Sequence, residues 1–238
     1  MNTPSPVRRG GRGGEVLEAK TVFFDAVGTV ILPSPSASVV YAELARRHGL
    51  TLDPAAVRDR LWAHFHIEEA RDRELNWVTS ESREEARWRA IVSAAIAGAT
   101  NALFRELYQH FAQPFAWTVP PAAAECIARL HARGVRLGLA SNYDSRLEEV
   151  VAGTPALHPL RERLVISSRV GWRKPAPRFF EAVTAAAGCD PAEVLFVGDD
   201  VENDFRGATA AGMRAVLLDE HGKHEGVSPR VRSLAEVG

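Results

Sequence analysis

The sequence predicts an α/β fold, a parallel sheet covered by helices and interrupted by an all-helical insertion, and three observations carry that expectation. From Pro120 onward, short apolar runs alternate with segments of helical spacing, as a parallel sheet with crossover helices requires. Between residues 36 and 113 the apolar residues keep helical spacing, with no convincing strand among them. Ahead of both stands Thr21-Val22-Phe23-Phe24, an apolar and β-branched run that ends in Asp25 and breaks at Gly28. Such a run reads as a buried parallel strand whose last residue emerges at the carboxyl edge of the sheet, where open α/β sheets do their chemistry.

Taken in order, the chain starts with Arg8, Arg9 and Arg12 among glycines and prolines, without the apolar centre of a signal peptide, so residues 1–15 read as a disordered tail. The first strand follows, and then a polar, proline-broken linker through Pro33 and Pro35 leaves the sheet. In the insertion, Val40, Leu44 and Ala45 share one helical face up to Gly49, a C-terminal stop. Asp53-Pro54 is an N-cap followed by proline in the first turn, and Val57, Leu61 and Phe65 continue a second face. Trp88, Ile91, Val92, Ala95 and Ile96 mark a third helix before Gly98; Leu103, Phe104, Leu107, Tyr108 and Phe111 mark a fourth. Beyond Pro120 come a helix carrying Ala123, Ile127 and Leu130, a strand over 135–140, and a helix near Arg146. A strand over 164–166 and a helix carrying Phe179, Phe180 and Val183 up to Gly188 follow. Asp190-Pro191-Ala192-Glu193 resembles a capping box ahead of a strand over 194–197, and a helix with Phe205, Ala208 and Ala211 leads to a last strand over 215–218. The expected division is therefore 16–33 and 116–238 for the sheet-bearing core, and 34–115 for the helical insertion.

At 238 residues, with 46% hydrophobic and 25% charged residues, the chain can bury a full core. A net charge of −1 supplies no global field for nucleic acid or an anionic membrane, and no run approaches the roughly 18 apolar residues of a membrane span. Cys126 and Cys189 both lie in apolar helical context, which fits buried, reduced thiols and a cytoplasmic location. The only lysines are Lys20, Lys174 and Lys223.

Each apolar run ends in a residue with chemistry to offer. Asp25 closes the first, Ser141-Asn142 the second, Lys174 follows the third, and Asp199-Asp200 with Asp204 follow the fourth. A carboxylate at a sheet edge, with a Gly that frees its loop and a Thr that hydrogen-bonds, can attack phosphorus or carbon. In that order, Asp25-x-x-Gly28-Thr29, Ser141-Asn142, Lys174-Pro175 and Gly198-Asp199-x-x-x-x-Asp204 resemble the four motifs of the haloacid dehalogenase superfamily, in the subgroup whose first motif reads Asp-x-Val-Gly-Thr. The resemblance spans residues 20 to 218. It implies a Rossmann-like core and a helical cap domain formed by residues 34–115.

It also implies a chemistry. Asp25 would be the nucleophile, forming an aspartyl-phosphate from a small-molecule phosphate ester. Mg²⁺ would reduce the repulsion between the two anions, held by Asp25, the Val27 backbone carbonyl, Asp199 and Asp204, with Asp200 competing for the last place. Ser141 and Asn142 would support the phosphoryl oxygens, with Thr29 orienting the loop or touching the phosphate. Lys174 would be the fixed cation, because one of three lysines placed before a proline at a helix start is poorly explained as surface decoration. Arg173 beside it reads as solvent-facing.

One departure matters. The family's phosphatases usually carry a second Asp two residues after the nucleophile, which protonates the leaving alcohol; here that position is Val27, which transfers no protons. The expectation is slow hydrolysis, a preference for good leaving groups, or an acid from the insertion such as His64, His66 or Glu68. Substrate choice would lie in the insertion, with Trp62, Trp77, Arg71 and Arg73 as candidate lining. Two other readings stand beside the phosphatase: a metal-free 2-haloacid dehalogenase, and a non-catalytic phosphate-binding or regulatory protein. A phosphonate-cleaving member would need a cap lysine, and none lies between residues 21 and 173.

Overall fold

The structure, a computed structural model, describes residues 19–238. The disordered tail expected over residues 1–15 lies outside the described residues. In chain order the elements are β1 (Thr21–Phe24), β2 (Leu32–Pro33), α1 (Ala37–Arg47), α2 (Pro54–Glu74), α3 (Glu81–Ala95), α4 (Asn101–His110) and β3 (Trp117–Thr118). Then come α5 (Pro121–Ala132), β4 (Arg136–Ser141), α6 (Arg146–Ala152), β5 (Leu164–Ile166), α7 (Ser167–Val170) and α8 (Pro177–Ala187). The chain ends with β6 (Val194–Gly198), a π-helical turn at Val201–Arg206, α9 (Gly207–Ala210), β7 (Arg214–Leu218) and β8 (Arg230–Val231).

Six strands form one sheet in the order β5-β4-β1-β6-β7-β8, and every pair in it is parallel. This is the doubly wound, Rossmann-like order that the alternating pattern predicts. Because β1 has a neighbour on each side and helices over both faces, all its residues are buried, which is why it reads as an unbroken apolar run. Alternate residues feed opposite faces. Val22, Phe24, Leu139 and Val197 pack with Ile127 and Leu130 of α5 and Leu147 of α6, whereas Phe23, Ala140 and Phe196 pack with Phe179, Phe180 and Val183 of α8. Each fully buried Phe contributes on the order of 2–3 kcal/mol by leaving water.

The insertion leaves the sheet through β2 and returns through β3, which pair antiparallel at Leu32 with Thr118 and Pro33 with Trp117. Between them α1 to α4 share a separate apolar cluster built on Val40, Leu44, Val57, Val92, Leu103 and Phe104. The Asp53 carboxylate caps α2 by accepting from the Ala55 and Ala56 amides, as the Asp-Pro signal requires. Among the described residues, no helix is long and apolar enough to cross a membrane.

Two local expectations differ from the structure. Asp190 makes no side-chain cap, because only a three-residue 3₁₀ turn separates it from β6; Glu193 instead pairs with Lys20. β4 runs from Arg136, paired with Thr21, to Ser141, one residue later at each end than the strand expected over 135–140, so that Ser141 is itself the strand terminus. Cys126 is buried and free, and Cys189 is free and partly buried.

Candidate active site

The sheet order reverses beside β1. The chain steps from β1 to β4 and β5 on one side, then crosses to β6 on the other, so the loops after β1 and β6 diverge and leave a crevice at the carboxyl edge. Phe24 is in register with Leu139 on one side and Val197 on the other. Asp25 therefore emerges between the ends of β4 and β6, beside Ser141 and Asp199. Two glycines make the approach of these carboxylates sterically allowed. Gly28 has φ of 96°, and a Cβ there would fall within the Asp199 carboxylate; a Cβ on Gly198 would strike Asp204.

Lys174 reaches the crevice from the loop between α7 and α8. Its ammonium donates to Asp25 Oδ1 at 2.6 Å, Asp204 Oδ1 at 2.5 Å and the Ala140 carbonyl at 3.2 Å, and the residue is 2% exposed. Asn142 clasps the backbone of the same residue: its amide donates to the Lys174 carbonyl at 3.0 Å, and its oxygen accepts from the Lys174 amide at 2.6 Å. The structure thus puts Asn142 to work on the lysine loop. Thr29 donates to Asp199 Oδ1 at 2.9 Å and is buried, which fixes the rotamer of that carboxylate.

The two competing acids separate clearly. Asp200 is exposed and caps the turn at Val201–Arg206, accepting from the Glu202 and Asn203 amides at 2.8 Å each. Asp204 is 2% exposed, bonded to Lys174 and to the Asp200 amide at 3.1 Å. Carboxylate oxygens of Asp25, Asp199 and Asp204 lie within 4.8 Å of one another.

Three carboxylates against one ammonium is a local excess of negative charge, and the acids report it. Burial, with the charges of Asp25 and Asp199 adding to it against Lys174, pushes Asp204 up to about 8. Burial and the Asp25 charge push Asp199 up to about 7, against the Thr29 hydrogen bond and the Lys174 charge. Asp199 is open to solvent through the cavity, whereas Asp204 is fully buried. Lys174 is held upward by Asp204 and Asp25, which together outweigh its burial.

Both acids are raised above the unfolded carboxylate value of about 3.9, so the folded state binds more protons than the unfolded chain between about pH 4 and 8. Stability then falls as pH rises through that window. In EDTA, the melting temperature should drop by at least about 5 °C between pH 5 and pH 8, at about 2–4 °C per kcal/mol. Asp204→Asn should flatten most of that slope; an unchanged slope would remove Asp204 as its source.

Above the carboxylates lies a cavity of about 800 Å³ shared by the core and the insertion. Asp25, Val27, Ser141, Asn142, Lys174, Asp199, Asp200 and Asp204 all line it, with Val27 at the edge, 37% exposed. Of the four residues of the insertion expected to line it, Trp62 does. Trp77, Arg71 and Arg73 do not: Arg71 lies beside Glu68, and Arg73 lies over the Trp77 ring. The three candidate acids also fall elsewhere. Glu68 is buried against Arg83 at 2.8 Å, His66 is exposed, and neither they nor His64 line the cavity. Glu69 does, accepting from Asn203 across the cleft at 3.0 Å.

Arg173 corrects the sequence reading. It is 4% exposed, not solvent-facing, because the insertion surrounds it with acids: it pairs with Glu84 and lies 3.3 Å from Asp72. Its amide donates to the Trp77 carbonyl at 2.8 Å. Asp72 also accepts from Arg83 at 2.6 Å and Arg87 at 2.9 Å. Burial and the neighbouring Arg173 charge lower Arg87 to about 10, and its Nη2 finds no partner among the described residues. The sequence carries only a trace of this network: Glu68 and Asp72 are four apart on α2, as are Arg83 and Arg87 on α3, so each like-charged pair shares one helix face.

Comparison with known proteins agrees with this architecture. Residues 19–212 match a family model described as haloacid dehalogenase-like hydrolase. The chain is 27% identical over 210 residues to the human haloacid dehalogenase-like hydrolase domain-containing protein 3, covering 85% of this chain and 82% of that one. It is 31% identical over 193 residues to phosphatase MT3486 of Mycobacterium tuberculosis, covering 80% and 76% respectively. The fold is similar to that of a HAD phosphatase from Thermococcus onnurineus, with a TM-score of 0.65 at 23% identity over 92% of this chain and 95% of that one.

Proposed function

Because the chain belongs to the haloacid dehalogenase-like hydrolase family, and is a hydrolase, we propose that it hydrolyses phosphate monoesters through an aspartyl-phosphate on Asp25, with Mg²⁺ as its metal. One observation carries this reading: three carboxylates lie within 4.8 Å of one another at the floor of a cavity, and two of them, Asp25 and Asp204, share a single buried ammonium. The name of the Mycobacterium tuberculosis relative, a phosphatase, points the same way.

The acid trio fits a hard divalent cation. Asp25, Asp199 and Asp204 offer the oxygen ligands such an ion prefers, with the Val27 carbonyl as a further ligand, and they carry unmet negative charge. When bound, Mg²⁺ supplies the positive charge that lets an anionic phosphate approach an anionic nucleophile. The chain's own groups do the rest. Lys174 engages Asp25 Oδ1 and leaves Oδ2 for in-line attack on phosphorus, while Ser141 donates to a phosphoryl oxygen. Thr29 keeps Asp199 aimed, and Asn142 keeps the lysine loop in place. Residues 34–115 act as the cap that closes over the core expected over 16–33 and 116–238, of which 16–18 lie outside the described residues, and the substrate is a small phosphorylated molecule held between them. A metal-free dehalogenase would have little use for Asp199 and Asp204 together, since without a cation they only crowd Asp25.

A panel of phosphate monoesters and 2-haloacids, assayed with Mg²⁺ and with EDTA, tests the reading. Phosphate release that needs Mg²⁺ is the expected result. Halide release in EDTA would replace it with the dehalogenase reading, and silence across the panel with binding alone.

A further inference from the structure

The residue two places after Asp25 and the wall of the cavity above it constrain the ester independently. Val27 stands at the cavity edge, 37% exposed, where it can neither give nor take a proton. An alkoxide leaving from phosphorus at this point has no donor beside it on the Asp25 loop. General acid assistance is typically worth about 10²–10⁴ in rate, so its loss falls on esters whose leaving oxygen is strongly basic. A phenolic oxygen, which ionises near pH 10 in tyrosine, departs without help far more readily than an alkoxide.

The wall is aromatic. All three tyrosines of the chain and three of its five tryptophans line the cavity, together with Phe65, Phe104 and Phe111. Several polar atoms of the wall are already engaged within the protein. Tyr108 donates its hydroxyl to Asp144 at 2.9 Å, and Tyr143 donates to the Phe111 carbonyl at 3.2 Å. Arg146 gives two donors to Asp144 and a third to the Tyr108 carbonyl. The Arg87 guanidinium donates its Nε to Asp72 at 2.9 Å and lies 4.5 Å from the Phe65 ring centre, its buried Nη2 having no partner among the described residues, and Glu69 is held by Asn203. What these groups turn toward a ligand is mostly carbon, while the floor is charged. A hydroxyl-rich leaving group would lose its hydration against that wall without replacement, at a cost that an apolar ring avoids.

We propose that the substrates are phosphate monoesters of an acidic hydroxyl carried on an apolar body, aryl phosphates being the simplest members of the class. The proposal rests on the hydrolase reading of Asp25 given above. In the first step a bond forms between an Asp25 carboxylate oxygen and phosphorus while the bond from phosphorus to the aryl oxygen breaks. The aryloxide leaves with the electron pair and takes its proton later, from water. In the second step water attacks phosphorus, the bond to Asp25 breaks, the carboxylate is regenerated, and the proton of water passes to solvent. The first step feels the leaving group; the second is the same for every ester.

Three esters with Mg²⁺ test this: phenyl phosphate, benzyl phosphate of nearly equal apolar bulk but with an alkoxide leaving group, and the hydroxyl-rich glycerol phosphate. The wild-type kcat/KM should favour phenyl over benzyl by at least about 10²-fold. Benzyl should exceed glycerol phosphate by about tenfold or more, mainly through KM. Val27→Asp should raise the benzyl rate and narrow the first ratio. Trp62→Ala, at a position 58% exposed, should raise KM for phenyl phosphate with little change in kcat. Equal kcat/KM for phenyl and benzyl phosphate would overturn the leaving-group half, because another group would then be supplying the proton. Glycerol phosphate turned over as well as benzyl phosphate would overturn the apolar-body half. Turnover of none of the three would instead sink the hydrolase reading of Asp25, and this proposal with it.

Discussion

Asp25→Asn should reduce Mg²⁺-dependent phosphate release by at least about 10⁴-fold, the scale seen when a covalent nucleophile is removed from an enzyme. The amide has no charge with which to attack phosphorus. The same substitution should leave the fold intact and, in EDTA at pH 8, leave the melting temperature unchanged or higher. That second outcome follows from the charge balance: Asp25 is one of three carboxylates sharing a single ammonium, and its charge is among the causes that push Asp199 and Asp204 upward. Removing it relieves repulsion at those two acids, while Lys174 keeps its bond to Asp204 at 2.5 Å. A nucleophile that crowds its neighbours costs stability and gives activity. Residual activity within tenfold of the wild type would exclude Asp25 as the nucleophile, whatever the melting curve shows.

Much of this site is legible in the sequence, for a reason that lies in the sheet. β1 and β6 are buried on both faces, so they appear as apolar runs, and the residues that end them must lie at one edge. That logic places Asp25, Ser141 and Asp199 together without knowledge of a single contact. It says nothing of what happens within a loop. By spacing the motif falls on Asp204 with Asp200 as its competitor, and it is the cap hydrogen bonds of Asp200 and the burial of Asp204 that separate them. The clasp of Asn142 on the Lys174 backbone could not be read, because the two are 32 residues apart in sequence. Arg173 looked exposed for the same reason, its acid Glu84 being 89 residues distant. The insertion hid its polar interior by a different route. Asp72, Glu84 and Arg87 follow a charged pattern that reads as a solvated face, yet each is buried because its counter-charges arrive from another helix.

Asp72→Ala should be among the most damaging substitutions outside the carboxylate trio. Asp72 is fully buried and is approached by Arg83 at 2.6 Å, Arg87 at 2.9 Å and Arg173 at 3.3 Å. Removing it leaves guanidinium groups in a low-dielectric site facing a void, a loss of about 3–5 kcal/mol for a broken buried pair. At about 2–4 °C per kcal/mol for a chain of this size, the melting temperature should fall by roughly 10 °C. The origin of the loss can be separated from simple cavity formation. If orphaned charge is the cause, Arg87→Met added to Asp72→Ala should recover part of the stability, because Arg87 already lacks a partner for one nitrogen and is the group most exposed to the missing charge. If the cavity is the cause, the second substitution should deepen the loss. Activity should fall with stability, since Arg173 precedes Lys174 and its tie to Asp72 and Glu84 holds that loop from the side opposite Asn142. A variant that melts within 2 °C of the wild type, by the roughly 1 kcal/mol this represents, would mean that the buried network is dispensable and that Asn142 alone fixes the lysine.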